Sequence, residues 1–193
     1  MNEQEQFWSG EGGTSYTARN RVDWRARIPF WHDIMKFTGA RSVYEVGCNA
    51  GWNLSAIREA AGHHVGLHGC EPNWQAFQQA STAGLSVLPS ALSVGDEIHA
   101  SVYELVFTAG VLIHVSPENL PAMMRSVIES STHYVLAIEY AAEQEEMIEY
   151  RGQPNLLWKR PYGKLYEDMG LKLLYTGEAT GWDRATYWLL EKT

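Results

Sequence analysis

An acidic residue followed by a glycine-bent turn is the stretch of this sequence best suited to hold a ligand. Residues 41–54 read as a buried strand that turns sharply into a helix, and the turn carries the spacing Glu45-x-Gly47-x-Asn49-x-Gly51. Gly47 allows the backbone to leave the strand, and Asn49 is the non-glycine residue most tolerant of a left-handed conformation. Gly51 lets a ligand approach the first helical turn. The predicted helix N-terminus therefore faces an open crevice beyond the carboxyl ends of the strands.

The charge of Glu45 and a second acidic residue indicate which ligand the crevice holds. A dinucleotide site needs the spacing G-x-G-x-x-G, and this turn lacks the third glycine. A carboxylate at Glu45 would repel a pyrophosphate but would accept hydrogen bonds from an ammonium group. Glu71 lies 20 residues after Gly51, at the end of a predicted second strand, where an acid can accept both ribose hydroxyls. The pair predicts an amino-acid-bearing nucleoside, and the alternative is an ordinary tight strand-to-helix connection.

The turn resembles the first motif of class I S-adenosylmethionine-dependent methyltransferases, whose usual form is (D/E)-x-G-x-G-x-G. Asn49 departs from this motif at the middle glycine, which is a mild departure because asparagine tolerates the same backbone conformation. The resemblance implies a class I fold and S-adenosyl-L-methionine as the cofactor, with S-adenosyl-L-homocysteine as its product.

The order of the predicted elements agrees with such a fold. Strands alternate with helices through most of the chain, and Leu171–Tyr175 with Ala185–Leu190 fit a terminal antiparallel pair. A helix is predicted from the cap Ser116 to about Ser130. Residues 1–38 are interpreted as an N-terminal lid, in the first 20 residues, followed by a helix. We therefore expect one α/β domain over residues 1–193, a doubly wound Rossmann-like sheet that is mostly parallel with an antiparallel C-terminal hairpin.

Further motifs over nearly the whole chain resemble the pseudaminic-acid-biosynthesis-associated methyltransferases. They are the segments Gly110–His114, Glu139-Tyr140, Tyr150–Gly152 and Leu157–Arg160, with the N-terminal Phe7-Trp8 and Tyr16–Asn20. This resemblance implies a small acceptor that is sugar-like, acidic or otherwise polar. It also implies cofactor contacts by Glu45, Gly47, Asn49, Gly51, Trp52 and Asn53 (methionine part), Glu71, Pro72 and Asn73 (ribose), Ala91 and Leu92 (adenine), Gly110 and Val111 (beneath the cofactor), and Tyr16 and Arg19 (above it, with Arg19 on the methionine carboxylate).

Three residues near the predicted crevice are candidates for catalysis. Methyl transfer is an in-line displacement, so the protein chiefly has to align the reactants and exclude water. If the acceptor is a hydroxyl, a base must take its proton, and His114 follows the fourth predicted strand at the crevice rim. A packed or helix-capping histidine is the alternative. Glu139 and Tyr140, at the end of the fifth strand, are the next candidates, and we favour O-methylation over N- or carboxyl-methylation.

Residues 140–170 are too long for a plain connection and are predicted to form part of the acceptor pocket. The segment Glu143–Glu149 is predicted to be an acidic helix. After it come Arg151, Trp158, Lys159 and Arg160, which are predicted to bind substrate, the three cations as an anion clamp. The alternative is a solvated basic face that balances the preceding acids.

Composition narrows the classes of function. With 193 residues and a formal net charge of −8, the chain has the size of one domain and lacks the basic surface that nucleic acid requires. We expect no nucleic-acid or membrane partner and a cytoplasmic protein, because the acidic start does not resemble a signal peptide. Cys48 and Cys70 lack the spacing of a zinc site, so no metal is predicted.

Two rival functions of other classes remain from the sequence. One is a non-catalytic S-adenosylmethionine-binding module, against which the aromatic N-terminal segment and the long insertion count, since a mere binder needs no acceptor pocket. The other is a nicotinamide-dependent oxidoreductase, which the missing third glycine and Glu45 disfavour.

Overall fold

A seven-stranded sheet runs through the centre of the fold in the computed structural model, which describes residues 3–20, 22–90 and 103–193. In chain order the strands are β1 Ser42–Val46, β2 Gly66–Cys70, β3 Ser86–Leu88, β4 Tyr103–Ala109, β5 Ser131–Glu139, β6 Glu146–Tyr150, β7 Gln153–Lys159, β8 Leu171–Glu178 and β9 Thr186–Lys192. Within the described residues the sheet order is β3-β2-β1-β4-β5-β9-β8. Strands β1 to β5 are parallel, and β9 runs antiparallel to both of its neighbours. This confirms the predicted fold class.

The helices cover both faces of the sheet. They are α1 Glu3–Ser9, α2 Glu11–Arg19, α3 Ile28–Thr38, α4 Trp52–Ala61, α5 Trp74–Thr82, α6 Leu120–Ser130 and α7 Tyr162–Asp168, with 3-10 turns at Trp24–Arg27 and Leu112–His114. One apolar layer contains Trp31 of α3 and Leu54 of α4, and the other contains Met124 of α6 and Tyr166 of α7. Helices α3 to α6 each bury one stripe of apolar residues, as amphipathic spacing predicts. None of the helices in the described ranges is both long and apolar enough to cross a lipid bilayer.

Strand β1 lies at the point where the strand order reverses. Val43, Tyr44, Glu45 and Val46 are all buried, which is the pattern of a central parallel strand covered on both faces. Its neighbours are β2 on one side and β4 on the other, so their connections lead to opposite faces of the sheet. Open α/β sheets bind ligands beyond the carboxyl ends of the strands at such a reversal. Glu45 is therefore in the layer next to the crevice.

The structure corrects three local predictions. The first 20 residues are not a helix-free lid, since α1 and α2 occupy most of them. The segment Glu143–Glu149 is not a helix, because Glu146–Tyr150 forms β6 and pairs antiparallel with β7 in a separate hairpin. The helix predicted from Ser116 begins later, at Leu120, with the proline of its first turn at position 121 rather than 117.

Candidate active site

A cavity of about 850 Å³ opens at the carboxyl ends of β1, β2, β4 and β5. It is covered by residues 3–19, which we call the N-terminal cover, and bordered by the β6–β7 hairpin. Its size lies within the range of ordinary small-molecule sites. The predicted site residues that line it are Tyr16, Glu45, Gly47, Asn49, Trp52, Asn53, Glu71, Pro72, Gly110, Val111, His114, Glu139 and Tyr140.

Other predicted residues lie away from this cavity or outside the described chain. Arg19, Gly51, Asn73, Arg151, Trp158, Lys159 and Arg160 belong to the first group. Ala91 and Leu92, predicted to lie against adenine, fall outside the described residues.

The turn after β1 has the backbone conformation that its residue types predict. Gly47, Asn49 and Gly51 all have positive φ, of 66°, 49° and 77° respectively. A Cβ at Gly47 would lie 2.7 Å from Val111 Cγ2, so the glycine permits the close approach of two cavity-lining segments. Gly51 serves packing instead of ligand approach, because a Cβ there would lie 2.1 Å from Leu85 Cδ1.

Glu45 lines the cavity and has one carboxylate oxygen without a hydrogen-bond partner among the described residues. Its side chain is 1% exposed, and Oε1 accepts a hydrogen bond of 2.6 Å from Asn53 Nδ2. Oε2 is buried and has no hydrogen-bond partner among the described residues. Burial raises the pKa of Glu45 to about 8, although Asn53 and the charge of Arg27 oppose the shift. A cationic group of a ligand would satisfy this oxygen and favour its ionised form.

Arg27 is the important residue that sequence reasoning missed. Its buried guanidinium donates to Asn53 Oδ1 at 2.7 Å and to the carbonyl of Gly181 at 3.3 Å, and its Cζ lies 4.2 Å from the Trp182 ring centre. It lines the cavity, whereas Arg19 does not. The spacing of Trp24, Arg27 and Trp31 put this arginine on the apolar face of the predicted helix. A cation on a buried helical face is the signal that could have identified it.

Glu71 lies directly after β2 and contacts the turn after β1. Its Oε1 accepts from the backbone N–H of Asn73 and its Oε2 from that of Asn49, both at 2.8 Å. Burial raises the pKa of Glu71 to about 7, and the two N–H groups limit the rise. Each carboxylate oxygen keeps a second lone pair that a hydroxyl donor can use. Asn73, predicted as a cofactor contact, instead directs its amide toward the N-terminal cover.

His114 is partly buried and has a defined tautomer. Its Nδ1 lies 2.5 Å from the carbonyl oxygen of Leu156 in β7. Because a carbonyl only accepts, Nδ1 carries the proton and Nε2 keeps its lone pair. Burial lowers the pKa of His114 to about 4, so the ring is neutral at physiological pH. Its ring centre lies 4.2 Å from that of Trp8 and 5.5 Å from that of Tyr150.

Glu139 holds the turn that carries His114. Its carboxylate accepts from the backbone N–H groups of Val111, Leu112 and Ile113 at 3.1–3.3 Å, so both oxygens are engaged by the protein. Burial raises its pKa to about 7 against these hydrogen bonds. The geometry thus differs from that of a catalytic carboxylate free to meet an acceptor. Tyr140 lines the cavity and is half-buried, consistent with an acceptor contact.

The predicted anion clamp does not assemble. Arg151 lies in the turn of the β6–β7 hairpin. Lys159 lies at the opposite end of the hairpin, where its backbone is opposite Glu146 in the strand register. The Arg160 side chain is 1% exposed and donates to Glu145 Oε2 at 2.7 Å and to the carbonyl of Leu112 at 3.0 Å. Trp158 is also buried, away from the cavity. Arg160 therefore supports the turn Leu112–His114 and does not line the cavity.

The cavity has two parts of different chemistry. The carboxylate half contains Glu45 and Glu71 with Arg27, and the aromatic half contains Trp8, Tyr16, His114 and Tyr150, whose rings contact one another. Trp8 Nε1 is buried and lacks a hydrogen-bond partner in the described part of the chain. Arg27 is the one lysine or arginine among the described lining residues. The arrangement can hold a zwitterionic group on one side and a weakly charged molecule on the other.

Several solved structures of other proteins share this architecture. No family model matches the chain, and no curated protein matches it by sequence. Among solved structures it is similar to magnesium protoporphyrin IX methyltransferase from Synechocystis PCC 6803 with bound SAM, with 11% identity, a TM-score of 0.69 and coverage of 100% of this chain and 99% of that chain.

Two further similar structures have the same architecture. A Burkholderia thailandensis 1,6-didemethyltoxoflavin-N1-methyltransferase with bound 1,6-didemethyltoxoflavin and S-adenosylhomocysteine is 12% identical, with a TM-score of 0.71 and coverage of 95% and 86%. A sugar N-methyltransferase from Streptoalloteichus sp ATCC 53650 is 14% identical, with a TM-score of 0.69 and coverage of 93% and 92%. The chain therefore has the Rossmann-like methyltransferase fold.

Proposed function

We propose that this protein is an S-adenosylmethionine-dependent methyltransferase that methylates a small polar molecule, with O-methylation of a sugar-like acceptor as the first choice. The observation that carries the proposal is the buried, unpartnered Oε2 of Glu45, in one cavity with Arg27 and Glu71. A nucleoside joined to an α-amino acid needs an acceptor for its ammonium group, a donor for its carboxylate and an acceptor for its ribose hydroxyls. The carboxylate half supplies all three.

The methionine part of the cofactor would lie between Glu45 and Arg27. Glu45 Oε2 would accept from the ammonium group, and the guanidinium of Arg27 would donate to the carboxylate. This assigns to Arg27 the role that the sequence suggested for Arg19, because Arg27 lines the cavity. Asn53 bonds to both residues, to Glu45 through Nδ2 and to Arg27 through Oδ1, and so keeps the two charges in register.

The nucleoside part would extend from Glu71 along the turn after β1. Glu71 would accept the ribose hydroxyls with its remaining lone pairs, and Pro72 lines the same region. Gly110 and Val111 line the cavity after β4, beneath the proposed position of the cofactor. The adenine contacts of Ala91 and Leu92 remain a proposal from the resemblance stated above.

When bound, S-adenosylmethionine supplies an electrophilic methyl group on its sulfonium. The protein's own contribution is alignment, exclusion of water by the N-terminal cover, and removal of a proton from a hydroxyl acceptor. The free Nε2 of His114 is the group in the aromatic half placed to take that proton, since Nδ1 is held by Leu156. Trp8 Nε1 and the hydroxyls of Tyr140 and Tyr150 are available to orient a polar acceptor.

N-methylation or carboxyl-methylation is a second candidate. The low basicity of His114 favours it. An imidazole whose pKa is about 4 is a weak proton acceptor. A neutral amine or a carboxylate already offers a lone pair to the methyl group and needs no base at that step. The two candidates differ in whether His114 contributes to turnover.

An acidic group on the acceptor would have to bind outside the main cavity. Arg19 and Arg151 line a second, open concavity of about 470 Å³ between the cover and the hairpin tip. Tyr150 borders both spaces, and its hydroxyl accepts from Arg19 Nη2 at 3.0 Å. A sugar-like molecule with a carboxylate could place its neutral part in the aromatic half and its charge here. This arrangement retains the sugar-like, acidic acceptor that resemblance to the pseudaminic-acid-associated family implies.

Binding and turnover measurements test the proposal in that order. The purified protein is titrated with S-adenosylmethionine, S-adenosylhomocysteine, NAD and NADP, and we expect binding of the first two only. Binding of NAD or NADP in their place would overturn the assignment. Release of S-adenosylhomocysteine is then scored with panels of sugars, amines and carboxylic acids. Cofactor binding without turnover on these panels would favour the non-catalytic binding module.

A further inference from the structure

Asn73 connects the end of β2 to the N-terminal cover through its side-chain amide. The residue is buried, and its Oδ1 caps α5 by accepting from the N–H of Ala76 at 3.2 Å. Its Nδ2 points the opposite way, toward the junction of α1 and α2. The oxygens within hydrogen-bond distance of Nδ2 are the carbonyls of Gly10 (3.0 Å), Trp8 (3.4 Å) and Ser9 (3.4 Å) and the hydroxyl of Thr14 (3.2 Å).

The cover is shaped to receive this amide. A Cβ at Gly13 would lie 3.0 Å from Asn73 Nδ2 and 1.9 Å from the carbonyl oxygen of Trp8, so only glycine fits at this position. A second hydrogen bond ties the cover to the turn after β1, because Asn49 Nδ2 donates to Thr17 Oγ1 at 3.0 Å. The cover is thus attached to the fold by two asparagine amides.

Both asparagines are held by the same carboxylate. The backbone N–H of Asn73 binds one oxygen of Glu71 and that of Asn49 binds the other, each at 2.8 Å. Glu71, the proposed ribose acceptor, therefore holds the backbone of Asn73 and Asn49. The side chains of these two residues hold the cover. A group bound on Glu71 restrains both attachments at once.

The other end of this connection reaches the aromatic half. Trp8, whose carbonyl faces Asn73, places its ring centre 4.2 Å from that of His114, with the two rings tilted by 48°. The cover also contacts the hairpin, where Gln4 Nε2 donates to the carbonyl of Asn155 at 3.2 Å. The position of the α1–α2 junction thus decides where Trp8 lies over His114.

We propose that Asn73 is a positioning residue, which sets Trp8 over the acceptor site through its amide and lets a cofactor on Glu71 strengthen that hold. The acceptor part of the cavity is then held more firmly once the cofactor has bound. The second statement rests on the proposed function, and the first does not. Asn73 acts through the cover and touches neither reactant.

The substitution Asn73→Asp isolates the amide. It keeps the oxygen that caps α5 and replaces the NH₂ group with an oxygen that repels the carbonyls of the cover. Hydrogen exchange of residues 3–19, followed by mass spectrometry without ligand, should be faster by about tenfold, the effect of one lost hydrogen bond of ordinary strength. Residues 74–82 should exchange as in the wild type. Equal exchange of residues 3–19 in the two proteins would overturn the positioning role.

Three further variants test the same role. Asn73→Ser keeps a capping oxygen on a shorter side chain and replaces Asn73→Asp if the aspartate variant does not fold. Thr17→Val removes the second attachment and should also speed exchange of residues 3–19. Thr82→Val is its matched control, since Thr82 Oγ1 donates to a carbonyl four residues earlier, as Thr17 does, but on the exposed surface of α5. That control should leave exchange of the cover unchanged.

The cofactor dependence is measured in the same experiment. Saturating S-adenosylhomocysteine should slow exchange of residues 3–19 in the wild type and much less in Asn73→Asp. In turnover assays the aspartate variant should show a raised acceptor KM, and any rise in its dissociation constant for S-adenosylhomocysteine should match the lost protection of the cover, because coupling between two sites is reciprocal. If S-adenosylhomocysteine binds but leaves the wild-type cover unprotected, the coupling is wrong. If it does not bind at all, the proposed function fails, while the exchange without ligand still decides the role of Asn73.

Discussion

The carboxylate half and the aromatic half of the cavity are built in different ways. Glu45 and Glu71 come from neighbouring strands β1 and β2, and Asn53 and the turn after β1 hold them in place. Trp8, His114 and Tyr150 come from three segments far apart in the chain and are held by ring contacts and by the carbonyl of Leu156. The first half is a local motif, and the second depends on assembly of the whole fold.

This difference indicates that the two halves of the cavity have separate roles in binding. A local site on the strand ends can keep one ligand constant, because its geometry follows from the sheet. A site made by a cover and a hairpin can change its shape while the sheet stays the same. The two halves are therefore expected to respond separately to substitution.

The largest expected effect is loss of turnover in His114→Ala with a hydroxyl acceptor. Removing a general base lowers turnover by about 10²-fold or more, while affinity for S-adenosylhomocysteine should stay the same. Stopped-time assays of S-adenosylhomocysteine release, with calorimetric binding as the control, measure both. Full activity in a folded His114→Ala protein would remove His114 as the base and favour the acceptors that need none.

Glu71→Ala should affect the opposite half. We expect cofactor binding to weaken by about 1–3 kcal/mol, the scale of lost hydrogen bonds to a charged group. Titration calorimetry gives the change directly, and the melting temperature shows whether the variant is folded. An affinity equal to that of the wild type would contradict the ribose assignment.

Arg27 and Arg19 form a matched pair within the proposed cofactor contacts. Arg27→Gln should weaken S-adenosylhomocysteine binding by about tenfold, because a charged hydrogen bond to the methionine carboxylate is lost. Binding of methylthioadenosine, which lacks that carboxylate and the ammonium group, should change little. Arg19→Gln should leave both affinities unchanged, and the reverse result would restore Arg19 to the role that the sequence suggested.

The smallest effect concerns stability and pH. The pKa values of Glu45 and Glu71 are raised by burial from 4.5 to about 8 and about 7, so the folded protein binds more protons than the unfolded chain in this range. The stability that these carboxyls contribute is fully present below their ordinary pKa of 4.5. It is lost as the pH rises from there through about 7 for Glu71 and about 8 for Glu45. The lowered pKa of His114 opposes this only below its ordinary value of 6.5.

Thermal melting measured without ligand tests whether stability falls as the pH rises. Between about pH 6.5 and pH 8.5 the melting temperature should fall, by about 2–4 °C for each kcal/mol lost in a protein of this size. Glu45→Gln should flatten the profile in part, because the amide does not titrate while Glu71 and Glu139 still do. A melting temperature that rises over this interval would show that these carboxyls do not carry the pH dependence.

The sequence predicted the backbone conformation of the turn after β1 and the position of Glu71. The positive φ of Gly47, Asn49 and Gly51 follows from residue type, and the position of Glu71 follows from the length of one strand–helix–strand unit. The fold class followed from the same alternation of elements. These features depend on interactions within about thirty residues, which a sequence pattern records.

What the sequence could not predict depends on contacts between distant segments. The acidic run at Glu143–Glu149 favours a helix by propensity, but pairing of Met147 with Trp158 and of Ile148 with Leu157 selects a strand. Arg19 and Arg27 lie eight residues apart, and only the path of the chain from α2 to α3 determines which one reaches the cavity. Asn73 was recognisable as a helix start, while the direction of its amide depends on residues more than fifty positions earlier.

The long reach of the cover's contacts has a consequence for folding during synthesis. Gln4 bonds to a residue 151 positions later, and Arg19 to one 131 positions later. Residues 3–19 leave the ribosome well before those partners exist, so the contacts between the cover and the β6–β7 hairpin form only after the hairpin has emerged. Closing a loop of this length is slow, because the chain loses conformational entropy before the contacts that stabilise the closed loop can form. The nascent protein thus encloses its cavity only after most of the chain has been made.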